Sequence, residues 1–249
     1  MSGPLARARG KLSGDVAADH PPAPFVVGLT RSGTTLLRMM LDAHRELTIP
    51  PETHFVPDLI KAARSDAGVE GMLDSMTGNR TWSDFGIETA TMRERLEAAP
   101  RGDAAAAVRA FFEAYAERQG KPRWGDKTPA YMLSVQRIGR TLPESRFVHL
   151  IRDGRDVALS QSARALNQQP PAAEQAERWV KRIRKSREQA SALKGARYVE
   201  ARYEDLVRDP ETTLRRICEF IDLPWDEGVL GYHERAAERL EEMAGELRA

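Results

Sequence analysis

One stretch near the start of the chain, residues 25–38, most constrains the fold. It opens with the apolar run Phe25-Val26-Val27, which is typical of a buried strand, and passes through a turn with two glycines into a helix with leucines on one face. Glycines let backbone N–H groups come close to a ligand, and the start of a helix adds the positive end of its dipole. This order predicts a site for a phosphate-like anion; an ordinary strand–turn–helix corner is the alternative.

The turn follows the phosphate loop of nucleotide-binding proteins with one departure. The spacing Gly28-x-x-x-x-Gly33-Thr34-Thr35 matches that loop, but Thr34 stands where the loop has its lysine. Arg31, three residues earlier, places a positive charge inside the turn. The sequence therefore predicts an anion cradle in which an arginine takes the place of the missing lysine.

Composition argues against several classes of partner. A formal net charge of +1 over 249 residues gives no bulk attraction to nucleic acid or to an anionic membrane. No apolar run is long enough for a membrane helix, and the start of the chain has no hydrophobic signal core. The single cysteine, Cys218, excludes an intrachain disulfide and a cysteine-based zinc site. We expect a cytoplasmic protein.

Strand-like and helix-like segments alternate along most of the chain. Residues 1–23 are rich in Gly, Ala, Pro and Arg without apolar periodicity, which predicts a disordered tail. Residues 24–249 predict a single α/β domain: a P-loop-like parallel sheet with helices on both faces. More locally, the pattern predicts a helix over 131–140, an N-cap at Asp103 and a polar helix from Glu227 to the end.

A second group of cations follows the next strong strand, which ends at Ile151. Arg152 comes directly after it, and Ser160 and Arg164 lie four residues apart on one face of the helix that follows. Two guanidinium groups and a hydroxyl suit a second phosphate, because the planar guanidinium forms paired hydrogen bonds. The alternative is a surface network in which Arg152 pairs with one of the neighbouring aspartates.

Neither loop is typical of a magnesium-dependent site. In P-loop NTPases an aspartate after the second strand helps to hold the metal, whereas here Arg152 stands first. A ligand with phosphates at two places therefore fits these loops better than ATP with magnesium, and we expect no metal.

With both loops present, the sequence resembles the sulfotransferases that use 3′-phosphoadenosine 5′-phosphosulfate (PAPS). The resemblance covers roughly residues 24–226 and extends to residues 52–53, 126–129 and 202–207. It is closest to the protein-tyrosine sulfotransferases and their bacterial relatives, whose loop is also Arg-Ser-Gly-Thr-Thr. The resemblance implies an enzyme that moves a sulfuryl group from PAPS to a hydroxyl without a metal.

The resemblance also implies the residues that bind the donor. The 5′-phosphosulfate would be held by Arg31, Ser32, Gly33, Thr34 and Thr35, and the 3′-phosphate by Arg152, Ser160 and Arg164, with Tyr203 near the nucleotide.

Catalytic roles follow from the same resemblance. Glu52 falls at the position of the catalytic base of the tyrosine-sulfating relatives, and Lys127 at that of a cation for the transition state, a role that Arg31 would share. A carboxylate can take the acceptor's proton, and fixed cations stabilise the charge that builds on the oxygens. His54 is the rival base, because cytosolic relatives use a histidine and an extended chain would place it beside Glu52.

The acceptor and the assembly stay open at this stage. Without a secretory signal, we expect a small-molecule hydroxyl acceptor. Related chains continue past a position like Tyr232-His233 with a segment over the nucleotide that has no counterpart here, so we expect a more open or incomplete donor site, or one closed by the second subunit of a homodimer. The alternatives to a sulfotransferase are an inactive sulfonucleotide-binding protein and a metal-dependent P-loop kinase.

Overall fold

The computed structural model describes residues 20–162 and 170–234, together with positions 239 and 241. The strands are β1 (Ala23–Gly28), β2 (Leu47–Thr48), β3 (Arg123–Trp124), β4 (Asp126–Lys127), β5 (Ser145–Ile151) and β6 (Tyr198–Arg202). Strands β4, β1, β5 and β6 pair in that order as one parallel sheet, and β2 pairs with β3 in a second parallel sheet. Most of the predicted tail, residues 1–19, lies outside the described residues.

Helices cover both faces of the four-stranded sheet, as the sequence predicts. The α-helices are α1 (Thr34–Asp42), α2 (Val56–Ala63), α3 (Gly68–Thr77), α4 (Thr89–Ala98), α5 (Ala104–Arg118), α6 (Val135–Thr141), α7 (Gly154–Ser162), α8 (Ala172–Ser191), α9 (Tyr203–Arg208) and α10 (Pro210–Phe220). Because side chains alternate along a strand, Phe25 and Val27 enter a core formed with α2, α5 and α8, whereas Val26 enters a second core with α1 and α10. The α/β prediction is confirmed.

Aromatic rings hold α5 against the sheets. Phe112 stacks on Trp124 with ring centroids 4.5 Å apart, and the edge of Phe25 meets both rings. Phe111 lies 4.8 Å from Phe55, which follows β2. Each fully buried phenylalanine contributes about 2–3 kcal/mol. This cluster therefore fixes the segment between β2 and α2, which contains Glu52.

The ends of the helices confirm one local prediction and correct two. Asp103 caps α5, because its carboxylate accepts hydrogen bonds from the N–H groups of Ala105 and Ala106. The single helix predicted over 131–140 is wrong: a 3₁₀ helix over Pro129–Leu133 precedes α6.

The second correction concerns the end of the chain. The predicted start of a continuous helix at Glu227 is wrong, since residues 227–234 form two 3₁₀ turns, Glu227–Val229 and Tyr232–Glu234. Positions 239 and 241 are helical, and the rest of that prediction lies outside the described residues. Gly228 and Gly231 lower the helix propensity there. Among the described helices, none has the length and apolar character needed to cross a bilayer.

Candidate active site

The first loop connects β1 to α1 at the carboxyl edge of the sheet. The backbone N–H and the hydroxyl of Ser32 both donate to the carbonyl of Leu29, at 3.1 and 2.6 Å, which closes a tight turn. Helix α1 then begins at Thr34 after Gly33, and no described side chain caps its first N–H groups. Uncapped donors at a helix start attract an anion, so the loop has the local structure that the sequence predicts.

Tyr203 lies against this loop and joins it to the next one. Gly33 has a φ of +90°, and a Cβ atom at this position would overlap the Tyr203 ring. The guanidinium of Arg152 lies 4.6 Å from the centroid of the same ring, within range of a cation–π interaction. A glycine is therefore required here both by the left-handed backbone and by the neighbouring ring.

The second group of cations meets the first loop directly. Arg152 donates from Nη1 to the Arg31 carbonyl at 3.3 Å, and Arg31 donates from Nε to the Ser160 hydroxyl at 2.9 Å. Nε of Arg152 is buried and has no hydrogen-bond acceptor among the described atoms. The structure thus brings Arg31 of the first loop together with Arg152 and Ser160, two of the three residues expected at the 3′-phosphate; the third, Arg164, lies outside the described residues.

The surface-network alternative accounts for little of this arrangement. Asp153 pairs with Arg155 at 2.7 Å, and Asp156 approaches Arg152 only to 3.9 Å. Arg152 instead donates to the Arg31 carbonyl at 3.3 Å and lies over the Tyr203 ring, so its side chain contacts the first loop.

Two residues that the sequence reasoning missed support the start of α7. Trp179 of α8 donates from its indole N–H to the Arg152 carbonyl at 3.2 Å, and its ring packs on Gly154. Glu204 accepts the backbone N–H of Asp153 at 2.8 Å. The signal for Trp179 was a single aromatic residue on an otherwise strongly charged helix.

A carboxylate and a lysine meet at the end of β4. Nζ of Lys127 lies 2.6 Å from Oε1 of Glu52 and 3.4 Å from the hydroxyl of Thr35 in the first loop. The Lys127 side chain is fully buried and that of Glu52 is 15% exposed. Lys127 is therefore not a solvated loop residue, because a buried ammonium group requires a partner of opposite charge.

His54 stands beside the same carboxylate. Its Nε2 lies 3.1 Å from Oε2 of Glu52, and its side chain is 29% exposed. Its backbone has a φ of +52°, a left-handed conformation that is uncommon for a residue other than glycine. Both candidate bases therefore share one site, with Glu52 between His54 and Lys127.

Arg31 lies next to the second group of cations. Its Nε donates to the Ser160 hydroxyl at 2.9 Å, and Lys127 is the cation in contact with Glu52. The transition-state role expected for Arg31 and Lys127 stays a prediction.

A buried carboxyl, Asp126, lies behind the pair. Burial raises its pKa to about 7, against the opposing effect of hydrogen bonds from Thr53 and Thr128. Burial likewise raises the pKa of the neighbouring Tyr131 phenol well above its usual value. Among the described residues, no cluster of three His, Cys, Asp or Glu side chains is arranged to hold a metal ion.

These features define an α/β protein with an uncapped helix start and two arginines at the ends of β1 and β5, and a carboxylate–lysine pair next to them. A family model described as the sulfotransferase family matches residues 22–227, and the chain belongs to that family.

Relatives and solved structures agree with this membership. The chain is 28% identical over 221 residues to protein-tyrosine sulfotransferase 2 of Gallus gallus, and 29% identical over 230 residues to protein-tyrosine sulfotransferase A of Caenorhabditis elegans. Both matches cover 86% of this chain, but the chain spans only about half of those relatives, 54% and 53% of their lengths.

The fold is shared with two sulfotransferase domains. One, from the olefin synthase of Synechococcus PCC 7002, superposes with a TM-score of 0.56 at 27% identity, and one from the curacin biosynthetic pathway with 0.58 at 22%. Each match covers 86% of this chain and 78% of the other. At 22% identity the likeness to the curacin domain concerns the fold alone.

Proposed function

We propose that this chain transfers a sulfuryl group from PAPS to the hydroxyl of a small-molecule acceptor, with Glu52 as the general base. One observation carries the proposal: Lys127 lies within 2.6 Å of a carboxylate and within 3.4 Å of a hydroxyl of the anion loop. A base, a cation and a phosphate loop in one place are the parts that an in-line transfer to a hydroxyl needs.

The donor fits the residues around the first loop. Uncapped N–H groups at the start of α1 suit the phosphosulfate end, and Arg31, Arg152 and Ser160 suit the 3′-phosphate. The buried Nε of Arg152, which lacks a described acceptor, is a donor for which a phosphate oxygen is a suitable partner. The sulfuryl group supplied by the donor is the electrophile of the reaction.

Glu52 and Lys127 divide the chemistry between them. Glu52 takes the proton of the acceptor hydroxyl as the new S–O bond forms, and the sulfur–oxygen bond to the phosphate breaks with its electron pair left on the phosphate oxygen. Lys127 stabilises that developing charge. In the described state Lys127 is paired with Glu52, so a shift of its ammonium toward the donor would free the carboxylate to accept the proton.

The acceptor is proposed from the sequence and from the range of the relatives. The names of the similar proteins include a protein-tyrosine sulfotransferase and a sulfotransferase domain of an olefin synthase, so similarity alone does not choose between a protein and a small-molecule acceptor. A transfer assay with labelled sulfate in PAPS should therefore include phenols, sugars, alcohols and a tyrosine peptide. Transfer only to the peptide would contradict the small-molecule part of the proposal.

Donor identity is tested first by calorimetry. We expect adenosine 3′,5′-bisphosphate, the product of transfer, to bind more tightly than ATP with magnesium. Preferred binding of ATP with magnesium would contradict the proposal, and binding of the bisphosphate without transfer to any acceptor would make the chain a binding protein.

The base is tested by Glu52→Gln, with His54→Gln for its rival. Glu52→Gln should lower kcat by about 100-fold or more, with bisphosphate affinity unchanged, because the amide oxygen can still accept from Lys127 but cannot take the acceptor's proton. Glu94→Gln removes an exposed carboxylate from α4 and is the matched control. A larger loss in His54→Gln than in Glu52→Gln would assign the base to His54.

A further inference from the structure

Four buried side chains form a hydrogen-bonded latch behind the active site: Thr53, Asp126, Thr128 and Tyr131. The Thr53 hydroxyl lies 2.8 Å from Oδ2 of Asp126 and 2.8 Å from the Tyr131 hydroxyl, and the Thr128 hydroxyl lies 3.2 Å from the same Asp126 oxygen. Two backbone N–H groups, of Thr53 and Val56, donate to the Thr128 and Tyr131 hydroxyls at 3.0 and 2.9 Å.

With Oδ2 of Asp126 as the final acceptor, one arrangement of protons satisfies every hydroxyl of the latch. Tyr131 accepts from the Val56 N–H and donates to Thr53, which in turn donates to Asp126. Thr128 accepts from the Thr53 N–H and also donates to Asp126. Each hydroxyl thus has one donor and one acceptor. The Oδ2 atom of Asp126 accepts from both Thr53 and Thr128.

The latch residues alternate with the proposed reacting residues. Thr53 stands between Glu52 and His54, and Lys127 stands between Asp126 and Thr128. Successive side chains of an extended segment point to opposite sides. The latch therefore occupies one side of both segments, while the Glu52–Lys127 pair occupies the side that faces the first loop.

We propose that the latch, with Asp126 as its common acceptor, is a positioning device that sets the distance between Glu52 and Lys127. Neither residue is on a long element: Glu52 lies outside any helix or strand, and β4 has only two residues. Contacts across 73 to 78 positions in sequence must therefore supply the rigidity that regular structure does not.

A second pair of contacts confines the Glu52 segment from the other direction. The Thr81 hydroxyl donates to the Glu52 carbonyl at 3.0 Å, and the Asn79 amide donates to the Thr53 carbonyl at 3.2 Å. These bonds hold the backbone of the segment but do not reach Lys127. Among the described residues, the latch joins the two segments in addition to the Glu52–Lys127 contact itself.

The inference rests on the proposed function, and its test separates the two. Thr53→Val removes the hydroxyl at nearly constant shape, and Thr53→Ser restores it. Thr53→Val should lower kcat by about 10- to 100-fold while bisphosphate affinity stays unchanged, and Thr53→Ser should recover most of the loss. Thr91→Val, at an exposed position on α4, is the matched control.

A double variant shows whether the latch acts through Glu52. In a Glu52→Gln background, Thr53→Val should cause no further loss of kcat, since the group being positioned is already absent. If the kcat losses of Glu52→Gln and Thr53→Val multiply in the double variant, the inference is overturned while the assignment of the base stays intact. An undiminished kcat in Glu52→Gln would instead contradict the proposed function.

Crystal structures give a readout that needs no activity. In Thr53→Val the Glu52–Lys127 separation should exceed hydrogen-bonding distance, whereas Thr53→Ser should keep it near 2.6 Å. If Thr53→Val does not fold, Tyr131→Phe, which removes the donor to Thr53, serves in its place. An unchanged separation in a folded latch variant would overturn the inference.

Discussion

Replacement of Asp126 by asparagine should make the protein more stable above neutral pH. Burial raises the pKa of Asp126 from 3.8 to about 7, so folding favours the neutral carboxyl. The stabilisation from this group is fully present below pH 3.8 and is lost as the pH rises to about 7. At 1.36 kcal/mol for each pKa unit, ionisation costs about 4 kcal/mol of folding free energy.

Asparagine keeps the hydrogen bonds but cannot ionise. Its side-chain oxygen can accept from Thr53 and Thr128 as Oδ2 does, and its amide nitrogen would occupy the place of Oδ1, which is buried without a described partner. An unsatisfied buried amide costs about 1–2 kcal/mol. The free energy of unfolding of the variant should therefore exceed that of the parent by about 2–3 kcal/mol at pH 8, which corresponds to a Tm higher by about 5–10 °C.

Urea unfolding of both proteins from pH 4 to pH 8.5 measures this difference. Subtracting the free energy of unfolding of the parent from that of the variant cancels the contributions of the other titrating groups. This difference should rise between pH 4 and pH 7 and then level off. Asp66→Asn, at an exposed position on the loop after α2, should give a flat difference. Parallel curves for Asp126→Asn and the parent would refute the reasoning, because Asp126 would then not titrate in this range.

Two further substitutions test the site and the sheet. Gly33→Ala should lower bisphosphate affinity by at least about 10-fold in calorimetry, because a Cβ atom at φ +90° overlaps the Tyr203 ring; wild-type affinity would mean that the loop tolerates a different backbone. Burial lowers the pKa of His149 from 6.5 to about 4, so the parent should lose about 3 kcal/mol of stability as the pH falls from 6.5 to 4. His149→Phe should lack this loss in acid unfolding, and an equal loss in both proteins would contradict the assignment.

The parts of the fold that local sequence patterns determine were predicted well. The run from Phe25 into α1 predicted a strand, a loop and a helix, and all three are present. Asp103 predicted the start of α5, because a cap is a contact between residues two or three positions apart. The 3₁₀ helix before α6 was missed, since the apolar spacing of that segment suits a longer helix and Pro129 starts the turn earlier.

Contacts between distant residues could not be predicted in this way. Arg239 donates to Asp42 at 2.8 Å across 197 positions, and both side chains are buried. Each reads in sequence as a surface charge, because nothing in its neighbours indicates a buried partner. The latch was missed for the same reason: residues 52–53 and 126–129 were noted as motifs, but periodicity does not reveal which hydroxyl meets which carboxylate.

The order of the strands gives the proposed donor site a direction. Lys127 ends β4, the first loop follows β1, Arg152 follows β5 and Tyr203 follows β6, so these residues lie in that sequence along one edge of the sheet. Neighbouring strands are about 4.8 Å apart, and three steps span roughly 14 Å. Glu52, the proposed base, and the buried Lys127 lie at the β4 end, and the cations expected at the 3′-phosphate follow β5. If the proposed donor lies across this edge, the strand order directs its transferable group toward Glu52, whereas the loops alone would not decide which end reacts.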